Sequence, residues 1–294
     1  YSERHISKIL SLELVDTTAI RKAGLTVVVD CVNSVGGLIL PDLLRKLGVK
    51  EVIELYCEPS GIFPHNPEPL PEHLGGLSEA VVKYGGDVGL VVDPDVDRLA
   101  IITEEGKMFG EEYTLVACAD YVLSQTSGDT VSNLSSSRAL RDVTRNRGGR
   151  YEASAVGEVN VVEMMKATDA VIGGEGNGGI IYPDSHYGRD ALVGIALFLT
   201  HLAKSGKKCS ELRSQYPEYV ISKNKIELTP EVDVDKVLEM IRKKYSAHPV
   251  IDIDGVKIHF ESECVHLRKS NTEPIIRIYA ESESKEKADK LAGK

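Results

Sequence analysis

No apolar stretch in this 294-residue sequence is long enough to cross a bilayer, basic residues are not in excess, and no Cys-x-x-Cys pair occurs. The first absence excludes a membrane-spanning helix. The net charge of −10 argues against nucleic-acid or membrane-surface partners, both of which need a basic face, but an acidic substrate needs only a local cluster. The five cysteines (Cys31, Cys57, Cys118, Cys209, Cys264) are scattered and odd in number. They suit free thiols in a reducing compartment better than a disulfide framework or a zinc site, so a cytoplasmic location is expected. No secretory signal precedes the first strand, and the opening residue is Tyr1 rather than methionine, which leads us to expect a missing upstream part.

What is present is an ordinary globular composition, 42% hydrophobic, at a length that calls for two or three domains. Residues 1–24 read as a helical lead-in. From Leu25 strands and helices alternate: strands at 25–30, 51–56, 88–92 and 99–103, with helices ending near Leu47 and Gly85 and a further one over 111–123. After the polar break at 124–129 the same order of elements returns without repeating the sequence: strands at 130–134, 151–155 and 170–173, and helices from Arg138, over 158–166 and over 190–204. From about Ile221 the pattern changes to a helix over 232–245, a hairpin around Asp254-Gly255, two further strands and a terminal helix from Ser284. The fold class is therefore α/β: two successive mixed, mainly parallel α/β sandwich domains (25–126 and 127–220) followed by a small α+β domain (221–294).

Asp93-Pro94-Asp95-Val96-Asp97-Arg98 closes the apolar run Val88–Val92. Three carboxylates on alternate positions offer hard oxygens to a cation such as magnesium, and Arg98 adds a planar fork for phosphate. The bland reading is a polar loop between strands, and the strand-end position favours the metal. A calcium loop would need glycine where Arg98 stands and loop where Leu99–Ile102 reads as strand, and is rejected.

Gly174-Glu175-Gly176-Asn177-Gly178-Gly179 spells a dinucleotide fingerprint, but Ile180–Pro183 follow instead of a helix. What remains is a flexible loop in which Glu175 and Asn177 suit sugar hydroxyls, or else a tight turn kept for backbone reasons. Arg268-Lys269-Ser270-Asn271-Thr272-Glu273-Pro274 between two strands is rich in donors for phosphate oxygens, or is a solvated turn. Phe63-Pro64-His65-Asn66-Pro67 is a rigid connector, with no nucleophile or partner near it in sequence. Ser135–Ser137 form a helix-capping turn before Arg138.

In this order, the three loops resemble the metal, sugar-recognition and phosphate-binding loops of the α-D-phosphohexomutases, which include phosphoglucomutases, phosphomannomutases and phosphoglucosamine mutases. Val29–Asn33 and Phe63–Pro69 resemble second-domain segments of that family. The resemblance covers essentially the whole chain and implies four domains around one cleft, of which this chain would hold domains two to four, with residues 1–24 as the tail of the first. It implies one Mg2+ held by Asp93, Asp95 and Asp97, and Arg98 on the transferring phosphoryl group. Glu175 and Asn177 would hold sugar hydroxyls, and Arg268, Ser270, Asn271 and Thr272 the phosphate that stays. It further implies a hexose phosphate substrate, glucose 1,6-bisphosphate as activator, and a phosphoserine nucleophile.

The sequence departs from that pattern in three places. No Ser-His-Asn-Pro occurs, so the chain is expected to lack the nucleophile and to be inactive alone. Asn177 and Gly179 stand where many relatives have serine and some have histidine; His186, seven residues on, could substitute for that histidine. Pro94 and Val96 stand where glycine or alanine is common, with metal binding expected to survive. The competing readings are a phosphoglucosamine mutase of the same family, a non-catalytic sugar-phosphate-binding protein, and a metal-dependent phosphatase, the last disfavoured because no second acidic cluster accompanies Asp93.

Overall fold

The structure, a computed structural model, describes residues 1–228, 233–270 and 273–293. Two helices open the chain, α1 (Ser2–Leu10) and α2 (Thr17–Ala23). The first sheet has the order β2-β1-β3-β4, built from β1 (Thr26–Asp30), β2 (Glu51–Leu55), β3 (Val88–Val92) and β4 (Leu99–Thr103). Its connecting helices are α3 (Leu40–Leu47) and α4 (Gly75–Tyr84). β1 runs parallel to β2 and β3, while β4 turns back antiparallel on β3. All five residues of β3 and of β4 are buried, which is why these strands read as unbroken apolar runs rather than alternating ones.

The second sheet repeats this plan in the order β6-β5-β7-β8, with β5 (Thr130–Asn133), β6 (Tyr151–Ser154), β7 (Ile172–Glu175) and β8 (Gly179–Ile181). α6 (Arg138–Asn146) and α7 (Glu158–Thr168) connect its strands. Two helices that are apolar nearly all round, α5 (Glu111–Gln125) and α8 (Ala191–Ser205), are buried along most of their length, as such helices must be. α5 packs on α6 and α8, and α2 on α8, so one continuous core joins residues of both sheets with Ile6, Ile9 and Ile20 of the opening helices. Asp190 caps α8, its carboxylate accepting from the Leu192 and Val193 N–H groups at 2.9 and 3.1 Å. Ser137 caps α6, as its sequence position indicates.

After α9 (Cys209–Arg213), the last unit is an antiparallel sheet in the order β10-β11-β12-β13-β9. Its members are β9 (Val220–Glu227), β10 (Val250–Ile251), β11 (Val256–His259), β12 (Cys264–Lys269) and β13 (Ile275–Ser282). Helices α10 (Val234–Lys244) and α11 (Lys285–Ala292) complete it. The hairpin expected around Asp254-Gly255 is present, with residues 252–255 connecting β10 to β11.

Register explains the two faces of this sheet. Val256, Ile258, Val265, Ile276, Ile278 and Ala280 share a core with Val234 and Leu291 of the helices. The alternate residues Lys257, His266, Arg268 and Glu281 are also buried, and they meet the second unit. Lys257 Nζ donates to the Leu134 carbonyl at 2.7 Å, and the Arg138 N–H to Glu281 Oε1 at 3.1 Å. His266 Nε2 lies 2.7 Å from the Asp254 carbonyl oxygen, which can only accept, so Nε2 carries the hydrogen and Nδ1 accepts from Ser135 Oγ at 3.2 Å.

Burial holds the His266 pKa down to about 4, against an ordinary value of 6.5. Between those values the unfolded chain binds a proton that the folded one does not. This group therefore withdraws stability as pH falls from 6.5, by on the order of 3 kcal/mol when pH reaches 4. Thermal unfolding of the wild type and His266→Gln between pH 7.5 and 4.5 should show a flatter pH dependence in the variant.

Candidate active site at the junction of three units

The Asp93–Arg98 loop leaves β3 and returns as β4. Asp93 is 1% exposed and both its oxygens accept: Oδ1 from the backbone N–H groups of Asp97 and Arg98 at 3.1 and 3.0 Å, and Oδ2 from Arg98 Nε at 2.7 Å. Val96 sits at φ +61°, a left-handed conformation that costs a β-branched residue about 1–2 kcal/mol. The strain is held by bonds on both sides, Val96 N–H to Asp93 O and Ala191 N–H to Val96 O, each 3.1 Å. Ser34 Oγ fixes the Pro94 carbonyl at 2.8 Å. One oxygen from each of Asp93, Asp95 and Asp97 can be chosen so that all three lie within 4.8 Å of one another.

The glycine-rich stretch is no flexible loop. Gly174 and Glu175 finish β7 and Gly179 starts β8, leaving a three-residue hairpin connection. Glu175 is 5% exposed; Oε1 accepts from Asn133 Nδ2 at 2.8 Å and Oε2 from Arg189 at 2.7 Å. Asn177 Oδ1 accepts from the Gly179 N–H at 3.2 Å and closes the turn. The outer strands of the two α/β sheets then touch: Arg98 bridges Gly179, and the Leu99 N–H donates to the Gly178 carbonyl at 3.0 Å. That contact needs a bare backbone. A Cβ on Gly178 would lie 2.3 Å from the Leu99 carbonyl oxygen, at φ +88°.

Across this seam Arg189 reaches both Asp97 and Glu175, with Glu158 at 3.5 Å. Burial and the neighbouring Asp93 and Asp95 charges raise the Asp97 pKa to about 6 against the opposing pull of Arg189. Asp97 Oδ1 is buried with no hydrogen bond, the Arg98 Nε lying 3.7 Å off. An orphaned carboxylate oxygen beside two further carboxylates is the donor set a hard divalent cation takes, so these residues fit magnesium.

Arg268 was expected in a loop, but it lies inside β12, paired with Arg277, because the strand runs on to Lys269. Its position on the polar face brings it to a cavity of about 160 Å³ that also presents Glu175, Asn177, Asn133, Glu112 and Lys223. Arg268 is 8% exposed and its Nε finds no hydrogen-bond partner among the described residues, although Asp254 Oδ2 is 3.3 Å away. A buried guanidinium with unused donor capacity suits an anion. Ser270 is buried at the end of the strand, its N–H donating to Ile275 O at 3.0 Å. Asn271 and Thr272 lie outside the described residues.

The sequence reading missed Arg189, Glu112 and Lys223. Arg189 stands just before α8, where a polar residue is ordinary. Glu112 stands in the first turn of α5, where acidic residues are ordinary. Its carboxyl accepts from the Ser137 N–H at 2.8 Å and fills the space where a Gly176 Cβ would be; burial pushes its pKa up to about 8, with Lys223 pulling the other way. His186, the candidate replacement near the sugar loop, has its Nε2 2.9 Å from Asp190 Oδ2 and is not among the residues lining the cavity. His65, read as having no partner nearby in sequence, meets buried Asp30 in space at 2.9 Å, which ties the proline-rich connector to the end of β1.

The second α/β unit and the antiparallel unit line one cavity, the like first unit joins its three-carboxylate loop to Glu175 through Arg189, and the three units match a known class in series. Models of the phosphoglucomutase/phosphomannomutase family cover the chain: alpha/beta/alpha domain II on residues 3–106, alpha/beta/alpha domain III on 110–219, and the C-terminal domain on 225–294. The chain belongs to this family, the α-D-phosphohexomutases. It is 40% identical over 278 residues to a phosphoglucomutase/phosphomannomutase of Thermococcus kodakarensis, matching 93% of this chain and 60% of that protein. It is 34% identical over 290 residues to a probable phosphoglucosamine mutase of Methanopyrus kandleri (98% and 63%). The crystal structure of a phosphoglucomutase/phosphomannomutase family protein from Burkholderia thailandensis superposes with a TM-score of 0.85 at 26% identity, over 99% of this chain and 62% of that one. The chain thus spans about three fifths of the relatives it matches.

Gly178→Ala should lower unfolding stability by about 2 kcal/mol or more through the backbone clash at the seam. Gly75→Ala, with nothing within 4 Å, should stay within about 0.5 kcal/mol of wild type in the same denaturant titration. Arg189→Met removes the guanidinium that compensates Asp97 and Glu175. The variant should melt lower than wild type in chelator and regain part of the difference in millimolar Mg2+, read by calorimetry; an equal deficit with and without Mg2+ would refute the charge account.

Proposed function

We propose that this chain supplies the metal, sugar and phosphate grips of a phosphohexomutase that interconverts hexose 1-phosphate and hexose 6-phosphate. The observation that carries it is the convergence of Glu175, Asn177 and Arg268, distant in sequence, on one cavity, with Arg189 linking Glu175 to the carboxylate loop. Magnesium held by Asp93, Asp95 and Asp97 would stabilise negative charge on a phosphoryl group in transfer, which is where such catalysis mostly lies. Arg98, oriented by its bond to Asp93, would add a second positive charge at the same place. Glu175 keeps lone pairs beyond those used by Asn133 and Arg189, and with Asn177 it would accept and donate to sugar hydroxyls. Arg268, and with it Ser270, Asn271 and Thr272, would hold the phosphate that is not moving.

In the family reading a phosphoserine gives its phosphoryl group to the sugar. The resulting bisphosphate turns round and returns its other phosphate to the serine. No Ser-His-Asn-Pro occurs in this sequence, so the 294 residues by themselves bind substrate without turning it over. Glucose 1,6-bisphosphate would serve as activator by supplying the bisphosphate form. The names of the relatives divide between phosphoglucomutase/phosphomannomutase and phosphoglucosamine mutase, so glucose, mannose and glucosamine phosphates are the sugars to compare.

Titration calorimetry should show hexose 6-phosphate binding to this chain, weakened by about 10- to 100-fold in Arg268→Ala, the value of a charge-assisted hydrogen bond. Unchanged affinity in that variant would remove Arg268 from the site. Phosphorus NMR of the chain with hexose 1-phosphate, Mg2+ and glucose 1,6-bisphosphate should show no 6-phosphate accumulating. Turnover there would refute the assignment of the nucleophile to a segment outside these residues.

A further inference from the structure

On another side of Asp190 three side chains from two distant segments meet. His5, on α1, places Nε2 2.7 Å from Asp190 Oδ2, and His186 places its own Nε2 2.9 Å from the same oxygen. The rings are tilted by 54° with centroids 6.0 Å apart, so the two nitrogens approach the oxygen from different directions. The other carboxylate oxygen, Oδ1, is committed to the first turn of α8, which fixes the group and leaves Oδ2 to the two histidines. Asp190 is buried, His5 half-buried and His186 exposed, so the carboxylate is rigid while the imidazoles can shift and water has access.

We infer that His5 Nε2, His186 Nε2 and Asp190 Oδ2 form a binding site for a divalent transition-metal ion of the zinc class, separate from the aspartate loop. Two imidazole nitrogens and one carboxylate oxygen make a borderline-soft set, which zinc, cobalt or nickel prefers and magnesium does not. Three protein ligands with a fourth position left to water is a common zinc arrangement. Donors at about 2.0–2.1 Å from a tetrahedral ion lie roughly 3.3 Å apart, so the histidines need to back away by only about half an ångström. The carboxylate is ready for it: burial alone would raise the Asp190 pKa, but hydrogen bonds from His186 and His5 hold it well below the usual carboxylate range. A bound ion would clip α1 to the start of α8, one residue from Arg189.

Simple hydrogen bonding of two imidazoles to one carboxylate is the alternative, and the choice of variants separates the two. His186→Gln keeps an N–H donor but is a poor zinc ligand, whereas His186→Cys is a poor donor and a strong zinc ligand. His186 is exposed, so neither change threatens folding. The untagged, metal-stripped chain is titrated with Zn2+ in millimolar Mg2+, which occupies the aspartate loop, and in parallel with Co2+ followed by visible absorption.

The wild type should bind one Zn2+ under Mg2+ and show intense Co2+ bands of a nitrogen-liganded, low-coordinate ion. Loss of a direct ligand in His186→Gln should weaken both by at least the 10- to 100-fold typical of outer-shell changes, and His186→Cys should restore zinc binding. Asp95→Asn should leave the Co2+ spectrum intact. Equal Zn2+ uptake by wild type and His186→Gln, displacement of the Zn2+ by Mg2+, or loss of the cobalt bands in Asp95→Asn would each overturn the inference.

Discussion

One short backbone contact holds the site together. The Leu99 N–H of β4 bonds to the Gly178 carbonyl, which joins the antiparallel outer strands of two sheets that otherwise have separate hydrogen-bond ladders. Edge strands carry unpaired N–H and C=O groups that must go somewhere; here the two edges meet at Leu99 and Gly178, while Ile101 and Thr103 of β4 bond to Phe109 and Lys107. Because each sheet ends in a strand that turns back, the loop entering β4 and the hairpin entering β8 meet at one point. That places the aspartate loop beside Glu175. The side-chain counterpart of the seam is Arg189, which spans it from Asp97 to Glu175. Without that guanidinium Asp97 would keep, among the described residues, only Arg98, 3.7 Å away, as a neighbouring cation, and Glu175 only the Asn133 amide.

Much of this was legible in sequence because the signals are local. The apolar runs of β3 and β4, the glycines at turns, the apolar length of α8 and the alternation of strands and helices each depend on neighbouring residues only, and each is found where expected. The three loops were legible for the same reason, since their residues are contiguous. Reading their conformation was harder. Glu175 was placed in a flexible loop because glycines surround it, but those glycines permit close approach by Leu99 and by the Glu112 carboxyl, and Glu175 belongs to a strand. Arg268 was placed in a loop because charged residues follow it, whereas strand pairing with Arg277 carries β12 to Lys269.

What could not be read were partners contributed by distant segments. Arg189 is 92 residues from Asp97, and His65 is 35 from Asp30. Nothing in their local pattern separates them from solvated polar residues, and only the packing of whole units brings them to their carboxylates. The buried polar face of the last sheet is the sharpest case. Val-Lys-Ile-His over 256–259 and Cys-Val-His-Leu-Arg over 264–268 look like ordinary half-exposed strands with a polar outside. Lys257, His266 and Arg268 are buried because a second unit covers them.

That polar interface bears on how the proposed reaction could proceed. The third unit holds to the second through Lys257–Leu134, Ser135–His266, Val156–Asp254 and Arg138–Glu281, hydrogen bonds and charges instead of an apolar core. Groups of this kind regain hydration when separated, so opening costs far less than exposing an equal area of core would. The cavity lies in that interface, with Glu175 and Asn177 on one wall and Arg268 on the other. A bisphosphate that must turn round between two transfers needs more room than a cavity of about 160 Å³ offers. A wall that can swing away on polar contacts gives that room while Arg98 and the aspartate loop stay fixed to the first two units by the seam. Rigid where the phosphoryl group is transferred and separable where the sugar is gripped, the fold places its strong and weak interfaces where such a reaction needs them.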